Sequence, residues 1–363
     1  IRLSLVGSEM CIRDRAMPLH LKTAPTKTFA DTAQQDVAER VRGIIGDIRE
    51  NGYVAVRRYA EQFDDWSRDS YRLSDEEITE IIGTLDAQVI TDIEFVQSQV
   101  RRFAQAQRDS LVDIEVETLP GVFLGQKHVP VQAAGAYIPG GKYPLTASAH
   151  MTIITAKVAG VPRVVACTPP IRGEIPAATV AAMKMAGADE IYILGGVQAV
   201  AAMAVGTDSI EPVNMIAGPG NAYVAEAKRQ LFGEVGIDLF AGPTEILIVA
   251  DEHADPFFTA VDLLSQAEHG PDSPAVLVTT SQALAEEVMD WIEKILPGMP
   301  TRDYAGPAWR DWGQVIVADD LDEAYRIADD FAFEHVQIFT QNPREALTKM
   351  HDYGALFLSL IHI

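Results

Sequence analysis

Cysteine is nearly absent from this chain of 363 residues, which holds only Cys11 and Cys167. Two such residues cannot build a disulfide framework, and Cys167, in Val-Val-Ala-Cys-Thr, reads as a buried strand residue. Basic residues are also scarce, 29 Lys and Arg against 52 Asp and Glu, for a net charge of −23. An acidic surface argues against nucleic acid as a partner, and it requires any anionic substrate to find a local basic pocket. Nowhere does an uncharged apolar run reach the ~18 residues of a membrane span. These absences fit a cytoplasmic protein, and a hydrophobic content of 48% with 22% charged residues fits a globular fold. Internal repeats and low-complexity linkers are missing, and so is a complete G-x-G-x-x-G fingerprint.

The two ends do not read as protein. Codons for Met10–Arg15 and for Leu358–Ile363 can be written as nearly reverse-complementary strings, the two strands of one sequencing-library adapter. Residues 1–16 and 358–363 are therefore expected to be adapter-derived, with the start at Met17 and the native chain interrupted after Phe357.

Residues 32–50, 75–84 and 86–109 carry the apolar spacing of amphipathic helices, as at Val41, Ile44, Ile45 and Ile48. From about 129 the character changes. Strands are predicted near 163–168, 190–194, 213–216 and 245–250, and helices near 146–159, 174–186, 197–205 and 221–232. The alternation continues through 274–279, 282–295, 314–317, 321–331 and 335–340. This pattern predicts a doubly wound α/β fold with parallel sheets, whose ligand crevices lie at the carboxyl ends of the strands.

Several residues are candidates for chemistry. Gly218-Pro-Gly-Asn221 follows a strand and opens a helix, so its N–H groups can face a pyrophosphate, although an ordinary strand–helix turn explains it equally. Asn221 can equally be a plain N-cap. Tyr137 beside Gly140-Gly141 is a ligand contact or a packing residue, and Gln198 after Gly195-Gly196 a cap or an adenine or ribose contact. Gln266 and His269, at i and i+3 near the end of a helix expected from about Pro256 to His269, can converge on one small object. With Glu334-His335 they suggest a metal plus an acid/base pair, but two ligands do not make a zinc site, and solvated polar residues at a helix end would look the same.

Taken together, Tyr-Ile-Pro-Gly-Gly (137–141), Gly-Gly-Val-Gln-Ala (195–199), Gly-Pro-Gly-Asn-Ala-Tyr-Val-Ala-Glu-Ala-Lys-Arg-Gln (218–230), Ala-Gly-Pro-Thr-Glu (241–245), Asp-Leu-Leu-Ser-Gln-Ala-Glu-His-Gly-Pro-Asp-Ser (262–273) and Glu-His-Val-Gln-Ile (334–338) resemble the histidinol dehydrogenase family in order and spacing. The resemblance covers essentially all of 17–357. It implies a zinc-dependent, NAD-linked dehydrogenase that oxidises an alcohol through an aldehyde to a carboxylate in two hydride transfers. Tyr137, Gln198 and Asn221 match NAD contacts. Thr244 stands where the family has a substrate-contacting serine. Gln266 and His269 match two zinc ligands that also face substrate, and Glu334 and His335 match the proton-transfer pair, His335 touching substrate as well. The remaining Asp and His ligands and a substrate-gripping Glu would follow Gly354-Ala-Leu-Phe357, so the chain as written is expected to turn over little.

The resemblance further implies two Rossmann-like domains with the catalytic cleft between them. One would comprise 17–136 and 245–357, and the other, binding NAD, would be 137–244 inserted into it. The family suggests a homodimer. Residues 139–151, 187–204 and Ala-Gly-Pro-Thr-Glu (241–245) look more like the sulfopropanediol 3-dehydrogenase branch, which converts 2,3-dihydroxypropane-1-sulfonate to sulfolactate, with Lys142, His128 or His150 available to neutralise a sulfonate. L-Histidinol is the alternative substrate, and an inactive NAD-binding relative the alternative of another class.

Overall fold

The computed structural model describes residues 18–24, 31–140, 145–239 and 244–358. Met17, Lys142 and both expected adapter segments but for Leu358 lie outside them. Contacts divide the chain into two compact units, 29–241 and, from both sides of it, 1–28 with 242–363.

In chain order, β1 (Leu19–Lys22) precedes three helices, α1 (Asp31–Asp64), α2 (Asp75–Gly83) and α3 (Ala87–Ser110). Helix α1 breaks at Gly52, and α2 is fixed by a Ser74–Glu77 capping box. A hairpin of β2 (Ile114–Leu119) and β3 (Val122–Gln126) follows. The first unit then alternates β4 (Ala133–Tyr137), α4 (Thr146–Val158), β5 (Arg163–Thr168), α5 (Ala177–Ala186), β6 (Glu190–Ile193), α6 (Gly196–Val205), β7 (Met215–Ala217), α7 (Ala222–Leu231) and β8 (Gly236–Ile237). Its sheet is parallel throughout, in the order β6-β5-β4-β7-β8. The chain therefore runs outward from β4 to β6 and returns to the other side of β4.

The second unit continues with β9 (Ile246–Ala250), α8 (Pro256–Ala267), β10 (Ala275–Thr279), α9 (Gln282–Ile295), α10 (Arg302–Trp312), β11 (Gln314–Val317), α11 (Leu321–Phe331), β12 (His335–Phe339), α12 (Ala346–Lys349) and β13 (Ala355–Leu358). Its order is β1-β11-β10-β9-β12-β13, parallel except for β1 at the edge. Here too the direction reverses about one central strand, β9.

Both sheets are covered on both faces. Along β9, Ile246, Ile248 and Ala250 enter one apolar cluster, and Leu247 and Val249 enter the other. That accounts for uninterrupted apolar strands such as Ile246–Ala250 rather than alternating ones. No described helix is long and apolar enough to cross a membrane.

The α/β alternation matches the sequence expectation closely, but the expected grouping of 17–136 with 245–357 does not match the contacts. Val41, Ile44, Ile45 and Ile48 of α1 share a buried cluster with Tyr137, Val165 and Val200, and Ile78 and Ile93 of α2 and α3 share another with Ile153 and Val164. The apolar stripes of these helices thus close the two faces of the β4–β8 sheet. Amphipathic spacing reveals such a stripe but not the sheet that receives it.

Candidate functional site

At the carboxyl end of the first sheet, the reversal point lies between β4 and β7, where open parallel sheets take ligands. Tyr137 ends β4 and Gly218 follows β7. Gly218 has a φ of +130°, and a Cβ there would stand 2.0 Å from the Tyr137 carbonyl oxygen, so the close approach of the two strand ends requires glycine. Lys228 and Asp238 hold this turn. The Lys228 ammonium, almost wholly buried, donates to the Gly218 carbonyl at 2.9 Å and pairs with Asp238, which accepts from Gly218 N–H at 2.8 Å.

Tyr137 is buried in the apolar cluster, and its hydroxyl accepts from Gly196 N–H at 3.0 Å. It is both a packing residue and a tether of the second glycine turn. Burial pushes its phenol up to about 12. Gln198, 1% exposed, donates from Nε2 to Asp64 Oδ2 at 2.9 Å, while its Oε1 is buried without a partner. Asn221 caps α7, its Oδ1 accepting from the N–H groups of Tyr223 and Val224 at 3.1 Å each. The cap uses only the amide oxygen, and the residue is exposed.

Glu334 and His335 stand at the amino-terminal edge of the second sheet. His335 is the first residue of β12 and pairs in register with Ile246. Its Nδ1 lies 3.1 Å from the Glu245 carbonyl oxygen. A carbonyl only accepts, so Nδ1 carries the proton and a neutral ring keeps Nε2 as a free base. The Glu334 carboxylate is 3.7 Å from the same ring, and Phe357 of β13 stacks on it with centroids 5.9 Å apart. Glu245 also fixes the backbone of the pair, its Oε1 accepting from Glu334 N–H at 3.2 Å, and burial raises its carboxyl above the ordinary range.

Helix α8 ends at Ala267, two residues earlier than expected, with Glu268 as its C-cap. His269 therefore sits in the following turn, its N–H donating to Gln266 C=O at 3.1 Å. Gln266 is half-buried and His269 exposed. Asp262, one turn before Gln266, hydrogen-bonds with Gln337, and burial raises its carboxyl. One helical turn is ~5.4 Å and two strand residues ~6.6 Å, so Gln266 follows Asp262 toward the same sheet edge as His335 precedes Gln337. Thr244, half-buried, precedes β9 at this edge. Gln266, His269, Glu334, His335 and Thr244 thus lie on the side of the sheet where strands begin, not at the carboxyl-end crevice expected for the fold.

That crevice in the second unit holds a different group. A cavity of about 310 Å³ is lined by Asp251, His253, Asp320, Gln341 and Glu345 among others, and ligand atoms of Asp251, Glu252 and His253 lie within 4.8 Å of one another. It occupies the other end of the sheet from Gln266 and His269, so it is not the metal centre anticipated from the sequence. Asp251 is already engaged, its oxygens accepting from His253 N–H at 3.0 Å and Gln341 N–H at 2.7 Å.

Of the basic residues considered for a sulfonate, Lys142 lies outside the described residues. His128 pairs with Asp113 at 3.1 Å beside the hairpin. His150 is buried on α4, accepts from Gln97 Nε2 at 3.2 Å, and burial lowers its pKa, so it is an uncharged structural residue. Asp64, Lys228, Asp238, Glu245 and Asp262 carried no sequence signal of their own. Lys228, Glu245 and Asp262 fall inside the quoted motifs, and a charged residue there was the only available hint.

The profile of the family described as histidinol dehydrogenase matches residues 28–361. A histidinol dehydrogenase homolog from Shouchella clausii is 58% identical over 342 residues, covering 94% of this chain and 81% of that protein. A sulfopropanediol 3-dehydrogenase from Ruegeria pomeroyi is 45% identical over 342 residues, covering 93% and 78%. The crystal structure of histidinol dehydrogenase from Elizabethkingia anophelis superposes with a TM-score of 0.85 at 32% identity, covering 93% of this chain and 76% of that one.

Proposed function

Because the chain belongs to the histidinol dehydrogenase family and is an NAD-dependent dehydrogenase acting on CH–OH groups, we propose that it oxidises L-histidinol through the aldehyde to L-histidine. The observation that carries this reading is the His335–Glu245 contact, which leaves Nε2 of the ring free as a base, with the Glu334 carboxylate on the Nδ1 side of the same ring. His335 Nε2 takes the hydroxyl proton as a hydride leaves the same carbon, giving the aldehyde. Glu334 takes a proton from the water that adds to the aldehyde, and loss of a second hydride and proton yields the acid. Each turnover thus consumes one water and two NAD. Thr244 is read as a substrate contact.

NAD supplies the hydride acceptor, and the glycine cradle at Gly218 together with the unpartnered Gln198 Oε1 suits a dinucleotide bound by Tyr137, Gln198 and Asn221. Each sheet is read as Rossmann-like. Zinc supplies a Lewis acid, and Gln266 and His269 offer it an oxygen and a nitrogen, half of a tetrahedral set. The expected homodimer would cover the β2–β3 hairpin, which pairs with no other described strand and exposes Val116, Phe123 and Leu124.

Relatives' names favour histidinol. Identity of 45% to a sulfopropanediol 3-dehydrogenase keeps 2,3-dihydroxypropane-1-sulfonate as the second reading. NADH formation with zinc by the full-length gene product, measured with each alcohol separately, decides between them. Turnover of histidinol alone is expected. Turnover of the sulfonate alone would overturn the choice of substrate, and turnover of neither would overturn the activity.

A further inference from the structure

The Gln198 side chain is held in an arrangement that the fold does not require. Its Nε2 is engaged by Asp64, the last residue of α1, 134 positions away. Its Oε1 faces the Gly195–Gly196 turn. Gly196 has a φ of +62°, and a Cβ on it would stand 2.8 Å from that oxygen, so the turn is shaped around the amide. An oxygen buried without a partner is costly unless something arrives to donate to it.

We propose that Asp64 is a positioning residue of the dinucleotide site, turning the Gln198 amide so that its nitrogen faces the carboxylate and its oxygen faces a hydrogen-bond donor on NAD. This inference rests on the dinucleotide reading given above. An ionised carboxylate accepts only, so it admits the amide in one orientation. A protonated carboxyl can also donate, so it admits the flipped amide, whose nitrogen would then confront the donor on the cofactor. The proposal is therefore pH-sensitive. Burial brings the Asp64 carboxyl up to about 6, offset in part by the bond from Gln198. The groups that face it are the phenols of Tyr137 on β4 and Tyr71 ahead of α2, both raised and uncharged in that range, with Tyr53, Arg57 and Glu61 of α1 acting on Tyr71.

Isothermal titration of the protein with NAD between pH 5 and pH 8 tests this. Wild-type affinity is expected to fall roughly tenfold as pH drops through about 6, the effect of one lost hydrogen bond to a buried group. Asp64→Asn, which can present either a donor or an acceptor, should bind roughly tenfold more weakly at pH 7.5 and show no pH dependence. Gln198→Ala should be equally flat, and adding Asp64→Asn to it should cost nothing more. Should Asp64→Asn fail to fold, judged by near-ultraviolet circular dichroism, the wild-type and Gln198→Ala profiles carry the test alone. A flat wild-type profile, or one unchanged by Gln198→Ala, would overturn the role of Asp64 while leaving the dinucleotide site intact. No NAD binding by the wild type at any pH would overturn the dinucleotide reading and this inference with it.

Discussion

His335 Nδ1 stands 3.1 Å from the carbonyl oxygen of Glu245, and that one contact decides which ring nitrogen carries the proton in the neutral imidazole. The acceptor is backbone, at the residue before β9, so parallel pairing of β9 with β12 delivers it as a consequence of register. An imidazole oriented this way needs no buried carboxylate behind it.

Replacing His335 by Gln should lower kcat by ~10²–10⁴-fold, the usual contribution of a positioned base, with NAD affinity unchanged. Glu245→Ala keeps the carbonyl but removes the acceptor for Glu334 N–H, and should cost roughly tenfold in kcat. Steady-state kinetics with separate NAD titrations checks both. Equal losses in the two variants would mean that the Glu245 side chain, not its carbonyl, governs the pair.

Metal content should separate the two ends of the second sheet. Gln266→Ala and His269→Ala are expected to reduce zinc affinity by more than the ~10–100-fold typical of an outer-shell partner. His253→Ala, in the acidic crevice at the other end, should leave zinc content unchanged. Elemental analysis after dialysis against graded chelator gives the answer, and loss of zinc on changing His253 would move the metal site to that crevice.

Asp64 predicts a trade between binding and stability. Its carboxyl has an ordinary value of 3.8 and stands at about 6 in the fold. Between those values the folded state binds a proton that the unfolded state has released, so stability falls as pH rises through the window, and the penalty is complete above about 6. Asp64→Asn never carries the charge. Its Tm should exceed that of the wild type by a few degrees at pH 7, and the gap should close toward pH 4. A constant gap would show that the carboxyl titrates normally.

The proposed burial of the hairpin in a homodimer predicts that Phe123 is sensitive to charge. It is 60% exposed in one chain, so Phe123→Glu should leave the fold's Tm nearly unchanged at low concentration while shifting light-scattering mass from dimer to monomer. An unaltered mass would remove the hairpin from the interface.

Much of the fold was legible because its signals are local. Strands β5 and β11 and helices α9 and α11 lie where the sequence pattern places them, since short β-branched runs and 3.6-residue spacing act within one element. The hairpin was not legible, because its apolar residues are exposed and obey neither a core face nor a buried run. The edge strands β1 and β13 escaped for a related reason: each is four residues long, half-exposed, and defined by its partner rather than by its own pattern.

The candidate residues divide in the same way. Sequence by itself determined the chemical types: a glycine turn before a helix, a Glu-His pair opening a strand, a Gln and a His three apart. Tertiary structure alone decided their working state. It placed the Glu245 carbonyl on His335 Nδ1, the Asp64 carboxylate on Gln198 Nε2 and the Lys228–Asp238 pair across the Gly218 turn. The first two contacts join residues 90 and 134 positions apart, and no local propensity encodes a partner at that distance. Proton position, amide orientation and carboxyl pKa depend on those partners and on burial, so they exist only once the sheets have formed.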